Sequence, residues 1–136
     1  MCHGDTHGFN NHVYIDAEGA SRAAFFDFDD AGPGYLAYDL CVWLWSNLPR
    51  KAPMEPDDAL LNRWHQYLAG YRTGGGLITN ADLAALPLFI QLRHLWNMGE
   101  GVARVHHWGA NLMSADWIKK QPDVMAGWGR LQLNSV

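Results

Sequence analysis

The pattern of apolar and polar positions divides the chain into a short β-rich beginning and a longer helical remainder. Residues 2–12 are rich in Gly, His, Asn and Asp and show no apolar period, which predicts a loop. Two short runs of β-forming residues follow at 13–16 and 23–28, with a turn at 17–20 between them. Such a pair predicts a small β-hairpin. A second loop, rich in Gly and Pro, covers residues 29–35.

The rest of the chain has helical periodicity. Residues 37–48 are apolar nearly all round, which predicts a buried helix that stops before Pro49. A second helix begins at a cap on Asp57 or Asp58 and ends at the three glycines 74–76. Its apolar positions recur at helical spacing and favour packing in a core over the wall of a cleft. These positions are Leu60, Leu61, Trp64, Tyr67, Leu68 and Tyr71.

Two further helical regions complete the pattern. The first begins at a cap on Thr79 or Asn80 and extends to about position 107. Pro87 lies inside it and predicts a kink or a division into two helices. Ser114 is the predicted cap of the last helix, and Pro122 predicts an interruption of that helix.

Composition and charge narrow the class of protein. Apolar residues make up 49% of the 136 residues and charged residues 18%, which suits one folded domain covering residues 1–136. We therefore expect an α+β fold that is mainly α. A net charge of −4 without a basic run argues against a nucleic-acid partner. Neither a membrane-spanning stretch nor a signal peptide is visible, and Cys2 and Cys41 lack metal-ligand spacing, so we expect a soluble cytoplasmic protein.

Polar residues around the predicted hairpin carry the candidate chemistry. Asn10 stands five positions after Asp5 in a Gly-containing loop, and the second strand delivers Asp27 to another Gly-rich loop. Phosphoryl transfer needs a group that accepts the proton of the attacking hydroxyl and oxygen ligands for Mg²⁺. In protein kinases an HRDxxxxN loop and a DFG loop supply these groups with the same order and spacing. The pattern therefore predicts a phosphoryl-transfer site in which the three side chains converge on one metal.

Two segments also resemble a known family. HGDTHGFN, residues 3–10, resembles the HGDxHxxN loop of the aminoglycoside phosphotransferase and choline kinase-like family. FFDFDDAGPGYLAYDL, residues 25–40, resembles that family's ID(F/W)xDAxxGxxxxDL segment. The resemblance covers residues 3–41. It implies the C-terminal lobe of a protein kinase-like fold, with the catalytic and metal loops in residues 2–41 and a helical body in residues 42–136.

The resemblance implies a role for each matching residue. Asp5 would be the catalytic base, and His7 would lie near the transferred phosphate. Asn10 and Asp27 would hold Mg²⁺ and, through it, the nucleotide. Ile15, together with its neighbour on the first strand, would line the floor of the adenine pocket.

Two other residues would support the loop rather than react. His3 would tie the catalytic loop down, and Asp39 would accept hydrogen bonds from it. Asp29 and Asp30 lie close to the metal segment, and solvated loop charges or helix caps are equally good interpretations of them.

The resemblance implies transfer of the γ-phosphate of ATP, or of GTP, to a hydroxyl of a small molecule, with Mg²⁺ as the metal. The 136 residues contain no Gly-rich phosphate loop, no strand lysine for the phosphates and no helix glutamate to pair with it. We therefore expect the N-terminal nucleotide lobe to be absent and the chain to be a truncated or incomplete form. Whether it is active alone stays open. Apolar surface left by the missing lobe would favour a homo-oligomer.

Two other functions remain open from the residues. The stretch from Gly4 to Gly8 matches the GDxHG opening of metallophosphoesterases, in which Asp5 and His7 would bind a two-metal centre. The downstream GDxxD and GNHE-like segments of that class are missing. The other alternative is a catalytically inactive remnant or binding module that keeps the fold of the lobe.

Histidines and tryptophans of the helical body carry no diagnostic spacing. We interpret His94, His106 and His107 as hydrogen-bonded or surface histidines rather than metal ligands. Core packing is a better interpretation than a substrate wall for four tryptophans in the second half of this body. These are Trp96, Trp108, Trp117 and Trp128.

Overall fold

A computed structural model describes residues 1–109 and 113–133. Within these residues the structure contains a two-stranded antiparallel sheet followed by helices. The elements are β1 (Asn11–Ile15), β2 (Ser21–Phe25), α1 (Leu36–Asn47), α2 (Asp58–Thr73), α3 (Asn80–Ala103), α4 (Val105–Trp108) and α5 (Ala115–Trp128). The prediction of an α+β, mainly helical fold is confirmed.

The hairpin forms where the sequence predicts it, although its second strand is shorter than expected. The strands pair antiparallel, with Asn11 opposite Phe25 at the open end. Asp16 closes the turn, because its carboxylate accepts the backbone N–H groups of Glu18 and Ala20 at 3.1 and 2.7 Å. The prediction that the second strand extends to position 28 is wrong. Asp27 has a φ of 63°, a left-handed conformation that cannot continue a strand.

Helix α1 lies at the centre of the core and packs mainly against α3. Its predicted span is confirmed to within one residue at each end. Four of its side chains are fully buried: Leu40, Cys41, Val42 and Leu44. The apolar stripe of α2 covers one side of this core, with Trp64 and Leu68 fully enclosed and the two tyrosines partly buried against them. Core packing of the stripe is therefore confirmed.

The predicted helix caps are confirmed by hydrogen bonds. The side chain of Asp57 accepts the N–H of Leu60 at 2.7 Å and begins α2. Thr79 forms a capping box with Asp82, in which each side chain accepts the backbone N–H of the other residue. Ser114 begins α5 in the same way, with its hydroxyl oxygen accepting the N–H of Trp117 at 3.2 Å. Each cap satisfies N–H groups that the first helical turn leaves without a partner.

The two internal prolines do not divide their helices, so this part of the prediction is wrong. Pro87 lies inside α3, which is continuous until a break at Arg104, and Pro122 lies inside α5. A proline in a helix interior removes a backbone hydrogen bond and costs about 3 kcal/mol. Burial offsets this cost, because Ile90 of α3 and Trp128 of α5 follow the prolines and are fully buried. No helix among the described residues is long and apolar enough to cross a membrane.

Candidate functional site

The loop between the N-terminus and β1 is attached to the first turn of α1 through Asp39. Its carboxylate accepts the backbone N–H of His3 at 2.9 Å and that of Gly4 at 2.8 Å. Its backbone carbonyl accepts the hydroxyl of Thr6 at 2.8 Å. Gly4 has a φ of 85°, and a Cβ at this position would clash with the backbone oxygen of Asp30. Only glycine lets the two loops approach this closely.

His3 connects the loop to the end of the hairpin. Its Nδ1 accepts the N–H of Asp5 at 3.3 Å, and its Nε2 lies 3.1 Å from the carbonyl oxygen of Phe26. An accepting Nδ1 implies the tautomer in which Nε2 carries the proton and donates it to Phe26. The ring also packs against Phe28, with centroids 4.3 Å apart. His3 thus contacts the segments on both sides of Asp27.

Three side chains lie around the carboxylate of Asp5. Arg93 of α3 forms an ion pair with Oδ1. Asn10 donates its amide N–H to Oδ2 at 3.1 Å and to the backbone oxygen of Asp5 at 3.0 Å. The Nε2 atom of His7 lies 3.4 Å from Oδ2. With 18% of its side chain exposed, Asp5 remains accessible from the solvent side.

Hairpin pairing brings Asn10 and Asp27 to the same end of the sheet. The carbonyl of Asn10 accepts the N–H of Phe26 at 3.2 Å, which extends the ladder by one step and leaves Asp27 as the next residue. The amide nitrogen of Asn10 faces Asp5, so the amide oxygen points the other way. Among the described residues no group of three His, Cys, Asp or Glu side chains could hold a metal. An amide oxygen and a carboxylate are nevertheless the hard donors that Mg²⁺ prefers.

Several of these side chains line one cleft of about 770 Å³. One wall carries the acidic and histidine side chains of the two loops, and α3 and α4 form most of the opposite wall, with one residue each of α1 and α5. The loop residues that line it are Asp5, His7, Asp27, Asp29 and Asp30. His3 and Asp39 lie behind this wall and contact the loops rather than the cleft. Ile15 is 64% exposed on β1 and is not part of the cleft lining.

The chain is similar in sequence to known proteins over most of its length. The model of a family described as the phosphotransferase enzyme family matches residues 1–77, which is more than half of the chain. The chain belongs to the phosphotransferase enzyme family. An uncharacterized protein of Deinococcus radiodurans is 36% identical over 127 residues, covering 93% of this chain. The chain spans only 35% of the length of that relative. No solved structure matches the chain.

Family membership confirms the resemblance inferred from the two loop motifs, and it places both motifs inside the matched residues. In this phosphotransferase-family chain the matched segment supplies the loop wall of the cleft. Most of the opposite wall comes from α3 and α4, outside the matched residues. Most of the side chains facing the family motif therefore lie beyond the residues that the family model matches.

Two tryptophans of that opposite wall correct the sequence analysis. Trp96 is 40% exposed and Trp108 is 50% exposed, and both line the cleft, so the core interpretation is wrong for them. Trp128 is fully buried, which confirms the interpretation there. Helical periodicity could not separate these cases, because α3 presents an apolar face to the core and aromatic side chains to the cleft.

His94 is a buried, hydrogen-bonded histidine, as expected. Its Nδ1 accepts the indole N–H of Trp45 at 3.2 Å, and its Nε2 lies 2.8 Å from the side-chain oxygen of Gln121. Burial lowers the pKa of His94. The hydrogen bonds therefore join α1, α3 and α5 through a neutral imidazole. His106 and His107 are exposed on α4, in agreement with the interpretation as surface residues.

Arg93 is the important site residue that the sequence analysis missed. It lies 88 positions from Asp5, in a helix without a family motif. One signal was available: Arg93 continues the buried stripe formed by Leu83, Leu86 and Ile90 of α3 at spacings of three and four. A charged residue on a buried helix face needs a partner. The sequence could not identify that partner as Asp5.

Proposed function

We propose that this chain is part of a phosphotransferase that transfers the γ-phosphate of ATP, or of GTP, to a hydroxyl of a small molecule. In this proposal residues 1–136 form the C-terminal lobe of a protein kinase-like fold. The observation that carries it is the shared cleft of Asp5 and Asp27, with Asn10 bonded to Asp5 directly behind it. Family membership supports the reaction class.

Asp5 is the proposed catalytic base. A base must lie within reach of the hydroxyl proton and keep one orientation, because proton transfer depends on geometry. Arg93 and Asn10 bind different carboxylate oxygens of Asp5, which fixes the plane of the group at the cleft wall. In the reaction the acceptor oxygen attacks the γ-phosphorus, its proton passes to Asp5, and the nucleoside diphosphate leaves.

Asn10 and Asp27 are the proposed holders of Mg²⁺. The hydrogen bond from the Asn10 nitrogen to Asp5 determines which end of the amide remains for a cation, namely the oxygen. Asp27 faces the cleft and makes no side-chain hydrogen bond to any described residue. A bound Mg²⁺ would neutralise phosphate charge.

His7 and Ile15 are proposed to contact the nucleotide. Nδ1 of His7 accepts the N–H of Phe9 at 3.1 Å, which leaves the proton on Nε2, the nitrogen nearer to Asp5. That N–H is suited to donate to a phosphate oxygen in the cleft. The exposed side chain of Ile15 on β1 offers an apolar surface against which an adenine ring could rest.

Metal binding tests the first part of the proposal. We expect Mn²⁺, used as a paramagnetic substitute for Mg²⁺, to bind the chain in the presence of ATP, as measured by electron paramagnetic resonance. Asp27→Asn should abolish this binding while keeping the left-handed backbone, which asparagine tolerates. Asp123→Asn is the matched control, because Asp123 is exposed on α5 and makes no ion pair or hydrogen bond within the described residues. Equal Mn²⁺ binding by all three proteins would refute the metal assignment.

Turnover tests the second part. Transfer from radiolabelled ATP to a panel of hydroxyl compounds should fall about 100- to 10,000-fold in Asp5→Asn, the range attributed to general-base catalysis. Undiminished transfer in this variant would refute the role of Asp5. Absence of transfer by the unmodified chain would refute the proposal for these 136 residues and leave the family membership intact.

The metallophosphoesterase alternative is less well supported. Its motivation is the pair Asp5 and His7, whose side chains lie 3.4 Å apart. However, the guanidinium of Arg93 already binds the Asp5 carboxylate, and a cation in this position opposes a second, divalent one. Two tightly held Mn or Fe ions in the purified protein would favour the alternative. A folded chain that binds no Mn²⁺ would instead favour a non-enzymatic binding module.

A further inference from the structure

The guanidinium of Arg93 is enclosed at the back of the cleft. Its side chain is 3% exposed, although it belongs to the cleft lining. One nitrogen forms the ion pair with Asp5. The other terminal nitrogen lies 3.4 Å from both the backbone oxygen of Gly4 and the hydroxyl of Tyr38. Arg93 therefore contacts two consecutive residues of the catalytic loop and one residue of α1.

Two indole rings determine the orientation of this guanidinium. Its central carbon lies 4.3 Å from the ring centroid of Trp96 and 5.3 Å from that of Trp45. The remaining nitrogen, Nε, is buried and has no hydrogen-bond partner among the described residues. Contacts with aromatic rings and three acceptors suit a planar fork of donors, and a lysine ammonium cannot reproduce them.

A purely stabilising role would be a poor explanation for this arrangement. Removing an arginine from water is expensive, and a buried ion pair is commonly no more stable than apolar side chains of similar volume. Instead, the ion pair fixes the orientation of the Asp5 carboxylate relative to the cleft. Asp39 holds the loop from one side through the N–H groups of His3 and Gly4, and Arg93 holds it from the other through the Gly4 carbonyl and Asp5.

We infer that Arg93 is a positioning residue, which holds the Asp5 carboxylate at the cleft wall in the orientation that accepts the hydroxyl proton. The inference rests on the proposed function, since it assigns Asp5 as the base. Because Trp96 contacts Arg93 and also faces the cleft, the arrangement connects the α3 wall of the cleft to the base on the opposite wall.

Kinetics with chemical rescue test this role. Arg93→Ala should lower kcat for phosphate transfer about 100-fold, the loss typical of a misplaced catalytic group, and leave the KM for ATP and Mn²⁺ binding unchanged. Millimolar guanidinium chloride should restore part of kcat, because Arg93 belongs to the cleft lining and its removal leaves a space that opens onto the cleft. Methylammonium chloride at the same ionic strength should not. Wild-type kcat in Arg93→Ala would overturn the inference.

Two further variants make the kinetic result specific. Arg63→Ala is the control, because Arg63 is exposed on α2 and makes no ion pair within the described residues, and its kcat should equal that of the wild type. Arg93→Lys keeps a positive charge on an aliphatic stem and is the second variant if Arg93→Ala does not fold. It should lose kcat without losing the fold measured by circular dichroism. Full activity of Arg93→Lys would show that charge alone suffices and would overturn the inference.

A readout without catalysis separates this inference from the proposed function. In protein labelled with carboxyl-¹³C aspartate, the Asp5 resonance should be a single sharp line, assigned by its loss in Asp5→Asn. It should move or broaden in Arg93→Ala and return when guanidinium is added. If the unmodified chain transfers no phosphate, the proposed function fails, whereas this resonance still reports whether Arg93 orients Asp5. An unchanged resonance in Arg93→Ala would overturn the positioning role.

Discussion

Replacing Asp39 by alanine is expected to release the loop of residues 3–10 from α1 while leaving the core intact. The carboxylate accepts two backbone N–H groups, from His3 at 2.9 Å and from Gly4 at 2.8 Å. A hydrogen bond to a charged group contributes about 1.5–3 kcal/mol. Because Asp39 is only partly buried, we take the lower end for both bonds, which gives a loss of about 3 kcal/mol for local opening of the loop.

Hydrogen exchange measures this loss directly. The amides of His3 and Gly4 should exchange on the order of 100-fold faster in Asp39→Ala, since each 1.4 kcal/mol corresponds to about one factor of ten. Asp123→Ala, at an exposed position of α5, is the matched control. Unchanged exchange at His3 and Gly4 would refute the reasoning that Asp39 attaches the loop.

Three further predictions concern stability, measured as the free energy of unfolding in urea. Gly4→Ala should cost at least about 1–2 kcal/mol from the left-handed backbone alone, with an added clash against Asp30, whereas Gly8→Ala meets no atom and should cost much less. Thr79→Ala should cost about 1 kcal/mol by removing the cap of α3, and no loss would contradict the capping box. The lowered pKa of His94, caused first by burial, means that the unfolded chain takes up a proton at higher pH than the folded one. Stability should therefore fall as the pH drops below about 6.5 towards the lower folded pKa, and His94→Gln should reduce this dependence.

Local features of the fold were predictable from the sequence because near neighbours determine them. The turn at Asp16, the caps at Asp57 and Ser114 and the glycine end of α2 each depend on residues within about four positions. Near neighbours also explain the wrong prediction for the end of β2, because the aromatic residues around Asp27 favour a strand. Local strand propensity does not contain the left-handed backbone of Asp27, which ends the strand.

The sequence by itself determined which side chains could serve as base and metal ligands in this phosphotransferase-family chain, because Asp5, Asn10 and Asp27 lie in one hairpin and its flanking loops. Tertiary structure alone decided which side chains of the helical body lie next to these three residues. Arg93 reaches Asp5 across 88 positions of sequence, and Trp96 lines the cleft although Ile90 of the same helix lies in the core. Such contacts depend on how helices pack in three dimensions, whereas periodicity reports only which face of a helix is apolar.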